Sequence, residues 1–313
     1  MTRGLVLLAL MAAFAGVHAR SDCAEDATLC VDFEANTRFE GQGILTPSKG
    51  KVVRWFALNQ AGGRCNGDRA DDTSRIALTD IARTGGKGLK FTTQDLDDCV
   101  HGSKPRERSM ANLSEAATGA TQGVEQWWAH SVYFPEDFVM PAGNWRESLF
   151  FQFNHSRLGC TTPCPIPNIA LDLFNQPGTA PRLVMRARAH GKNGLQPDGR
   201  QYVYSVPGAR NIDGQSIEDD PVKGVWYDFV HHIKWSATGD GFHRIWMRKA
   251  GSPVRKVLER RNISNLYETT NPAYLSVGTY HDPLPKVASS VIHDRFRRGN
   301  SFAAVAMPDF EMP

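Results

Sequence analysis

The chain has 313 residues, of which 41% are hydrophobic, 22% charged and 10% aromatic, and this is enough to bury a sizeable core. The 36 Lys and Arg residues against 33 Asp and Glu leave a formal net charge of +3, which argues against a nucleic-acid-binding protein held by bulk charge. The 28 glycines and 18 prolines follow no period, so they indicate turns rather than a collagen-like or disordered chain.

The N-terminal stretch 1–19 has the three parts of a secretory signal peptide. Arg3 supplies the positive charge, residues 5–15 are apolar, and Val17-His18-Ala19 is a small-residue cleavage site. No later apolar run is long enough to cross a membrane. The sequence therefore predicts a secreted protein, extracellular or periplasmic, with residues 20–313 as its mature chain.

All six cysteines lie beyond this cleavage site, which suits an oxidising compartment and predicts disulfide bonds. Proximity along the chain favours the pairs Cys23–Cys30, Cys65–Cys99 and Cys160–Cys164, although sequence alone does not fix the pairing. A zinc site at Cys160 and Cys164 is the weaker interpretation, because no second pair of ligands is visible.

Short runs of alternating apolar and polar residues recur between Gly, Pro, Asn and Asp clusters, a pattern typical of β-strands. They cover residues 124–134, 146–154, 168–174, 182–190, 200–206, 225–236, 242–249, 274–280 and 291–297. Helical periodicity is nearly absent, with one turn expected within 262–269. We therefore predict an all-β fold, a jelly-roll sandwich of two antiparallel sheets with few short helices, as a single domain over 20–313.

One predicted strand carries a row of arginines. Alternate residues of a strand share a face, so Arg182, Arg186, Arg188 and His190 lie opposite Leu183, Met185, Ala187 and Ala189. Arginines are costly to bury, so this face is either a solvated outer sheet or a cleft for a polyanion. In a cleft, the arginine fork would suit carboxylate or sulfate groups.

The acidic residues of the sequence do not favour a glycoside hydrolase. A glycoside hydrolase on a sandwich needs two carboxylates about 5–10 Å apart, and neither Glu218-Asp219-Asp220 nor Asp32-Phe33-Glu34 looks like such a pair on a cleft strand. Gln152 and Asn154 share one face with His155 at the end of the strand, and a later strand runs from Tyr274 to Tyr280.

Several of these segments resemble the heparin lyase I-like and glucuronan lyase-like polysaccharide lyases. Residues 226–235, 244–246, 274–280 and 293–296 are similar to the C-terminal half of those enzymes, residues 152–155 to their central Gln-x-His region, and residues 32–34 to their opening strand. The resemblance implies a concanavalin-like β-jelly roll that cleaves an acidic, uronate-containing polysaccharide (glucuronan-, alginate- or heparin-like) by β-elimination. It also implies a structural Ca²⁺ ion in some members, with no cofactor required for the chemistry.

Elimination needs a donor that neutralises the uronate carboxylate, a base for the C5 proton and an acid for the departing O4. The resemblance implies Tyr280 and His155 as acid and base, Gln152 and Asn154 against the carboxylate, Arg108 as the cleft arginine, and Arg186 or Arg188 on flanking uronates. For calcium, Asp32, Glu34 and Asp294 are oxygen ligands that a sandwich could bring together; the alternative is that they are exposed acids or partners of Arg295, Arg297 and Arg298.

The chain departs from the family pattern at three positions. Ser276 stands where these lyases commonly have Lys, and Arg106-Glu107-Arg108 replaces an Arg-x-Glu pattern. His155 follows Gln152 by three residues instead of two. Either a bulge re-aims His155, or Asn154 takes its position and another histidine serves.

Two other functions stay open from the sequence. One is a noncatalytic, lectin-like sandwich that binds acidic glycans, and the other is a laminarinase-like hydrolase, which the missing carboxylate pair disfavours. In every case we expect a monomer with no nucleic-acid or membrane partner.

Overall fold

A computed structural model describes residues 23–59, 73–95, 97–101, 104–141, 146–155, 167–175, 178–189, 201–202, 215–270, 272–284, 287–307 and 309–313. The predicted signal peptide lies outside these residues, and so do Cys65, Cys160, Cys164 and His190. Across the part that is described, no helix is long and apolar enough to cross a membrane.

The described residues form nineteen strands and two one-turn helices. The strands are β1 (Ala27–Val31), β2 (Arg38–Glu40), β3 (Gly43–Ser48), β4 (Lys51–Asn59), β5 (Ile76–Thr79), β6 (Gly88–Thr93), β7 (Asp98–His101), β8 (Lys104–Leu113), β9 (Glu125–Tyr133), β10 (Arg146–His155), β11 (Ile169–Asn175), β12 (Arg182–Ala189), β13 (Gln201–Tyr202), β14 (Gln215–Asp219), β15 (Trp226–Lys234), β16 (Gly241–Lys249), β17 (Arg255–Ile263), β18 (Ala273–His281) and β19 (Ser289–Gly299). The helices are α1 (Glu115–Thr118) and α2 (Phe302–Val305).

The strands pair antiparallel in two sheets, which confirms the predicted jelly-roll sandwich. The smaller sheet has the order β17-β16-β15-β9-β19-β6-β5, with β1 also paired to β19. The larger sheet has the order β13-β12-β11-β10-β18-β8-β4-β3-β2, with β14 on β12 and β7 on β8. The helical turn expected within 262–269 is wrong, because Asn262 still belongs to β17 and the Asn265 side chain binds the backbone N–H of Ser236 instead.

The core lies between the two sheets and follows the alternation of the strands. On β10, Phe151 and Phe153 are fully buried, as are Leu183 and Met185 on β12. Burying each such side chain contributes about 1.5–3 kcal/mol. Residues on the opposite face of these strands are therefore left free to line a cleft.

Histidines also pack inside the sandwich. His130 stacks on Phe151 with ring centroids 3.9 Å apart, and Nδ1 of His231 lies 3.0 Å from Nε2 of His243. Burial lowers the pKa of His231 to about 3 and also lowers the pKa of His130 and His243. These histidines are therefore neutral packing residues.

One predicted disulfide is present near the start of the described chain. Cys23 and Cys30 are bonded, with their Cα atoms 5.9 Å apart, and Cys30 is buried in β1. The Cys65–Cys99 and Cys160–Cys164 pairs fall outside the described side chains and stay predictions.

Candidate active site

A cleft of about 220 Å³ lies on the face of the larger sheet that points away from the core. Five strands of that sheet, β4, β8, β10, β12 and β18, supply nearly all of its walls. The lining residues are Leu58, Arg106, Arg108, Met110, Asn112, Glu147, Leu149, Gln152, Asn154, Pro167, Arg186, Tyr274, Ser276 and Tyr280. Of the seven candidate catalytic and substrate-binding residues, the structure brings five together here: Tyr280, Gln152, Asn154, Arg108 and Arg186.

A row of polar side chains crosses the floor of the cleft. Gln152 lies opposite Ser276, which lies opposite Asn112. The Ser276 hydroxyl donates to Oδ1 of Asn112 at 2.6 Å, and Nε2 of Gln152 donates to the sulfur of Met110 at 3.3 Å. Because the thioether is a weak acceptor, the Gln152 amide keeps most of its capacity to donate to a ligand.

A second row is centred on Tyr280. This residue lies opposite Leu149 on one side and Arg108 on the other. The register between β10 and β18 shifts between Leu149 and Phe151, and such a bulge bends the strand and re-aims the side chains beside it. The bulge lies between the Tyr280 row and the Gln152 row.

Gly278 separates the same two rows on β18. Its backbone φ angle is +136°, a conformation that L-residues with a side chain rarely adopt. A Cβ atom at this position would also lie 2.3 Å from the Ser109 carbonyl oxygen and 2.6 Å from Cα of Met110. The glycine is thus required by the close approach of β18 to β8.

Opposing charges act on the Tyr280 phenol. Burial raises the pKa of Tyr280 above its ordinary value, and the Glu147 carboxylate adds to the rise. Arg106 and Arg108 act in the opposite direction, and Arg106 also hydrogen-bonds the phenol. At neutral pH the phenol is therefore protonated, beside two cations that stabilise its phenolate.

Arginines and carboxylates alternate along one wall. Glu147 accepts from Arg106 at 3.0 Å through one oxygen and from Arg186 at 3.0 Å through the other. Nε of Arg186 lies 2.7 Å from the fully buried Asp172, and Arg106 also pairs with Asp282. Arg186 thus lines the cleft rather than a solvated outer face, and its role in binding a polyanion stays a prediction.

The structure does not bring His155 into the cleft. Its side chain lies on the Phe151 and Phe153 face of β10 and is only 1% exposed. Its Nδ1 is 3.2 Å from Oδ1 of Asn168, and its ring packs on Tyr267 at 4.5 Å. The bulge in β10 lies between Leu149 and Phe151. From Phe151 onward the side chains alternate strictly, so His155 lies on the same core side as Phe151 and Phe153.

The other arginines of that strand differ in position. Arg182 is half-exposed, with Nε 3.5 Å from Asp219. Arg188 lies opposite Tyr202 in β13, but its side chain is outside the described part, so its substrate-binding role stays a prediction.

The predicted calcium ligands do not share a site in the structure. Asp32 pairs with Arg297 at 2.7 Å, and Glu34 accepts from the backbone N–H of Gly86 at 3.1 Å. Asp294 accepts from the backbone N–H groups of Arg83 and Arg295, while burial, with a smaller effect from Asp32, raises its pKa to about 7. Among the described residues these three carboxylates do not converge within 4.8 Å, so they do not fit a common Ca²⁺ ion, and calcium binding stays a prediction.

Sequence reasoning missed three features of the cleft. Glu147 and Asn112 were not singled out, and Arg106 was noted only as part of an unexpected pattern. Arg106 could have been found, because it shares the face of Arg108 on the same strand. Glu147 could not, because its place beside Arg106 and Arg186 depends on strand order.

Comparisons with known proteins agree with this architecture. The sequence profile of the polysaccharide lyase family matches residues 48–297, whereas no curated protein matches by sequence. The fold is similar to an endo-β-1,4-glucuronan lyase from the fungus Trichoderma reesei, with a TM-score of 0.56, 20% identity, and coverage of 91% of this chain and 100% of that one. An alginate lyase from Aplysia kurodai matches at a TM-score of 0.45 and 12% identity, over 78% of this chain and 97% of that one. The profile covers most of the chain, and the chain therefore belongs to the polysaccharide lyase family.

Proposed function

We propose that this polysaccharide lyase is secreted and cleaves a uronate-containing polymer by β-elimination in the cleft over β8, β10 and β18. The observation that carries the proposal is the position of Tyr280, a protonated phenol beside Arg106 and Arg108 in the same cleft as a row of amide side chains. Elimination at a uronate needs these groups, namely a proton carrier and donors for a carboxylate.

The reacting sugar would lie over Gly278. Tyr280 follows Ser276 by four residues on β18, a Cα separation of about 13 Å at the rise of a strand. A pyranose ring is shorter than this, so it would lie between the Tyr280 row and the Gln152 row, with side chains of both rows extending toward it. In this position Arg108 or Gln152 can donate a hydrogen bond to the uronate carboxylate. This bond stabilises the negative charge that develops when the C5 proton leaves, and so makes that proton more acidic.

Tyr280 would carry the protons of the reaction. The elimination removes a proton from C5 and adds one to O4, so a single phenol–phenolate pair balances both transfers. Arg106 and Arg108 stabilise the phenolate that removes the C5 proton. The phenol formed in that step donates the same proton to the departing O4, so Tyr280 ends each turnover in the form in which it began.

The acidic nature of the substrate follows from the same residues. Arg106, Arg108 and Arg186 line the cleft together with Gln152 and Asn154. Guanidinium and amide groups recognise a carboxylate by paired N–H donors. A uronate polymer such as glucuronan or alginate presents one carboxylate on every sugar and fits such a surface.

The test is ultraviolet absorbance of the mature protein incubated with glucuronan, alginate and heparin in turn. Elimination leaves an unsaturated uronate that absorbs ultraviolet light, whereas hydrolysis leaves saturated ends that do not absorb. We expect one polymer to give a rise, and Tyr280→Phe to lower kcat about 10²- to 10⁴-fold, the usual contribution of a general acid–base group.

Tyr274→Phe is the matched control, because Tyr274 also lines the cleft but lies at the far end of β18 from Tyr280. Its kcat should stay within a fewfold of the wild type. Binding without any rise in absorbance would contradict the proposal and favour a lectin-like function, and saturated cleavage products would favour a hydrolase.

A further inference from the structure

The cleft face of the larger sheet continues beyond the residues that line the cleft. Asn112 in the polar row lies opposite Phe56 of β4. Residues opposed across neighbouring strands share a face of the sheet, so Phe56 extends the row of Gln152, Ser276 and Asn112. Its neighbour Trp55 points the other way and is fully buried in the core.

Phe56 is an aromatic platform on this face. The side chain is 44% exposed, although burial would stabilise the protein. Two residues earlier on the same face, the guanidinium of Arg54 lies 5.3 Å from the centre of the Phe56 ring. An aromatic surface beside an exposed cation is the combination that binds a sugar ring bearing a carboxylate.

The facing strand leaves room for this arrangement. Gly43 lies opposite Phe56 on β3, and a Cβ atom there would lie 2.9 Å from Nε of Arg54. The missing side chain thus allows the guanidinium of Arg54 to lie over one face of the Phe56 ring. Glu40, opposite Gly43, is the acidic residue of this edge, and Arg38 pairs with it at 3.6 Å.

We propose that Phe56 and Arg54 form a distal subsite for the acidic polysaccharide, with a sugar ring stacked on Phe56 and its carboxylate paired with Arg54. The proposal rests on the proposed function, because the occupant is the same polymer chain. β4 lies two strand spacings from β18, the strand of Gly278, about 10 Å. The sugar on Phe56 is therefore a different residue from the one over Gly278, and only longer chains reach it.

This length dependence gives the experiment. Glucuronan and alginate oligosaccharides, from disaccharide to octasaccharide, are tested as substrates of the wild type, Phe56→Ala and Arg54→Gln. For the longest oligosaccharides we expect either substitution to raise KM about fivefold, the effect of losing one partly exposed contact, with kcat unchanged. For the shortest substrates we expect no change, and Phe56→Trp should restore the KM of long chains.

Phe39→Ala is the matched control. Phe39 is 36% exposed on β2, the edge strand two positions from β4, but it lies opposite the buried Ile44 and so belongs to the other face of the sheet. Its KM should equal that of the wild type at every length. Equal effects of Phe56→Ala on short and long substrates, or no effect on either, would overturn the subsite.

Binding separates this proposal from the proposed function. The affinity of Tyr280→Phe for the octasaccharides is compared with that of the double variant Tyr280→Phe/Phe56→Ala. Weaker binding by the double variant supports the subsite even if the wild type cleaves none of these polymers, a result that would contradict the proposed function alone. Equal binding, or no binding by either variant, overturns the subsite.

Discussion

The guanidinium carbon of Arg108 lies 5.8 Å from the centre of the Tyr280 ring. This pair joins two strands, because Arg108 and Tyr280 are opposite each other in the register of β8 and β18. With Arg106 and Glu147 nearby, the phenol is held between charges of both signs, and its ionisation can be moved in either direction by single substitutions.

The first prediction concerns the pH dependence of the reaction. Arg106 lowers the pKa of Tyr280 and Glu147 raises it, so Arg106→Gln should raise that pKa and Glu147→Gln should lower it. Activity that begins from the phenolate rises as pH approaches that pKa from below. The rise of kcat/KM with pH should therefore move to higher pH in the first variant and to lower pH in the second.

An alkaline titration followed by phenolate absorbance checks the same shifts in the pKa of Tyr280 without catalysis. The absorbance of the Tyr280→Phe protein is subtracted to leave the contribution of Tyr280 alone. Shifts of both variants in one direction would show that the two charges do not act on Tyr280 as the structure indicates.

The second prediction separates His155 from the chemistry. His155 is buried beside Asn168 and Tyr267 on the core side of β10. We expect His155→Gln to lower the free energy of unfolding by about 1–3 kcal/mol through the disturbed buried hydrogen bond, with kcat of the folded protein within a fewfold of the wild type. Gln152→Ala, on the cleft face, should instead lower kcat/KM at nearly unchanged stability.

Steady-state kinetics and urea unfolding of both variants measure these effects. A loss of kcat in His155→Gln as large as that in Tyr280→Phe, with stability retained, would restore the catalytic role that the sequence suggested.

The third prediction concerns the stability of the arginine wall. Asp172 is fully buried and its partner Arg186 is nearly so, and removing one member of such a pair leaves an uncompensated charge. Arg186→Ala should lower the free energy of unfolding by about 3–5 kcal/mol. Arg182→Ala on the same strand breaks only an exposed pair and should change it by about 0.5 kcal/mol or less.

Urea unfolding at neutral pH compares the two variants. Similar losses of unfolding free energy in both variants would mean that Arg186 does not compensate the buried charge of Asp172.

The fourth prediction is a loss of stability in acid. Burial lowers the pKa of His231 and His293 to about 3, below the value of about 6.5 in the unfolded chain. The unfolded state therefore binds more protons between these values, and stability is full above pH 6.5 and falls as pH decreases. At pH 5 each of these two histidines should cost about 2 kcal/mol relative to pH 8.

Unfolding free energies at pH 8 and pH 5 test the sign and the size. His293→Gln should reduce the difference between the two pH values by about 2 kcal/mol, whatever its effect on absolute stability. A variant with the same pH dependence as the wild type would contradict the assignment.

The sequence predicted strands well where alternation was strong and poorly where other forces shape the strand. β9, β10, β15 and β18 were found nearly to the residue because one face of each is apolar. β17, which reads RKVLERRNI, was missed because it is an edge strand, and charged side chains there prevent pairing with other chains. β1 to β7 and β14 were missed as well; in β3, Gly43 and Pro47 interrupt the alternation.

The site was predictable in its residue types and less so in its geometry. Gln152, Asn154 and Tyr280 were identified from their alternation and their resemblance to a family, and all three line the cleft. The inward position of His155 depended on where in β10 the bulge falls, which the spacing from Gln152 left open. The link between Arg106 and Arg186 through Glu147 depends on which strands become neighbours, and a single chain read in order does not contain that information.

The wall of alternating charges has a consequence for how a substrate arrives. Arg106 and Arg186 are already matched by Glu147, Asp172 and Asp282, so the cleft projects little net field into the solvent. Long-range attraction of a polyanion should then be weak, and its association rate should change little between low and physiological ionic strength. A polyanionic polymer would then be held mainly by short-range hydrogen bonds formed after it reaches the cleft.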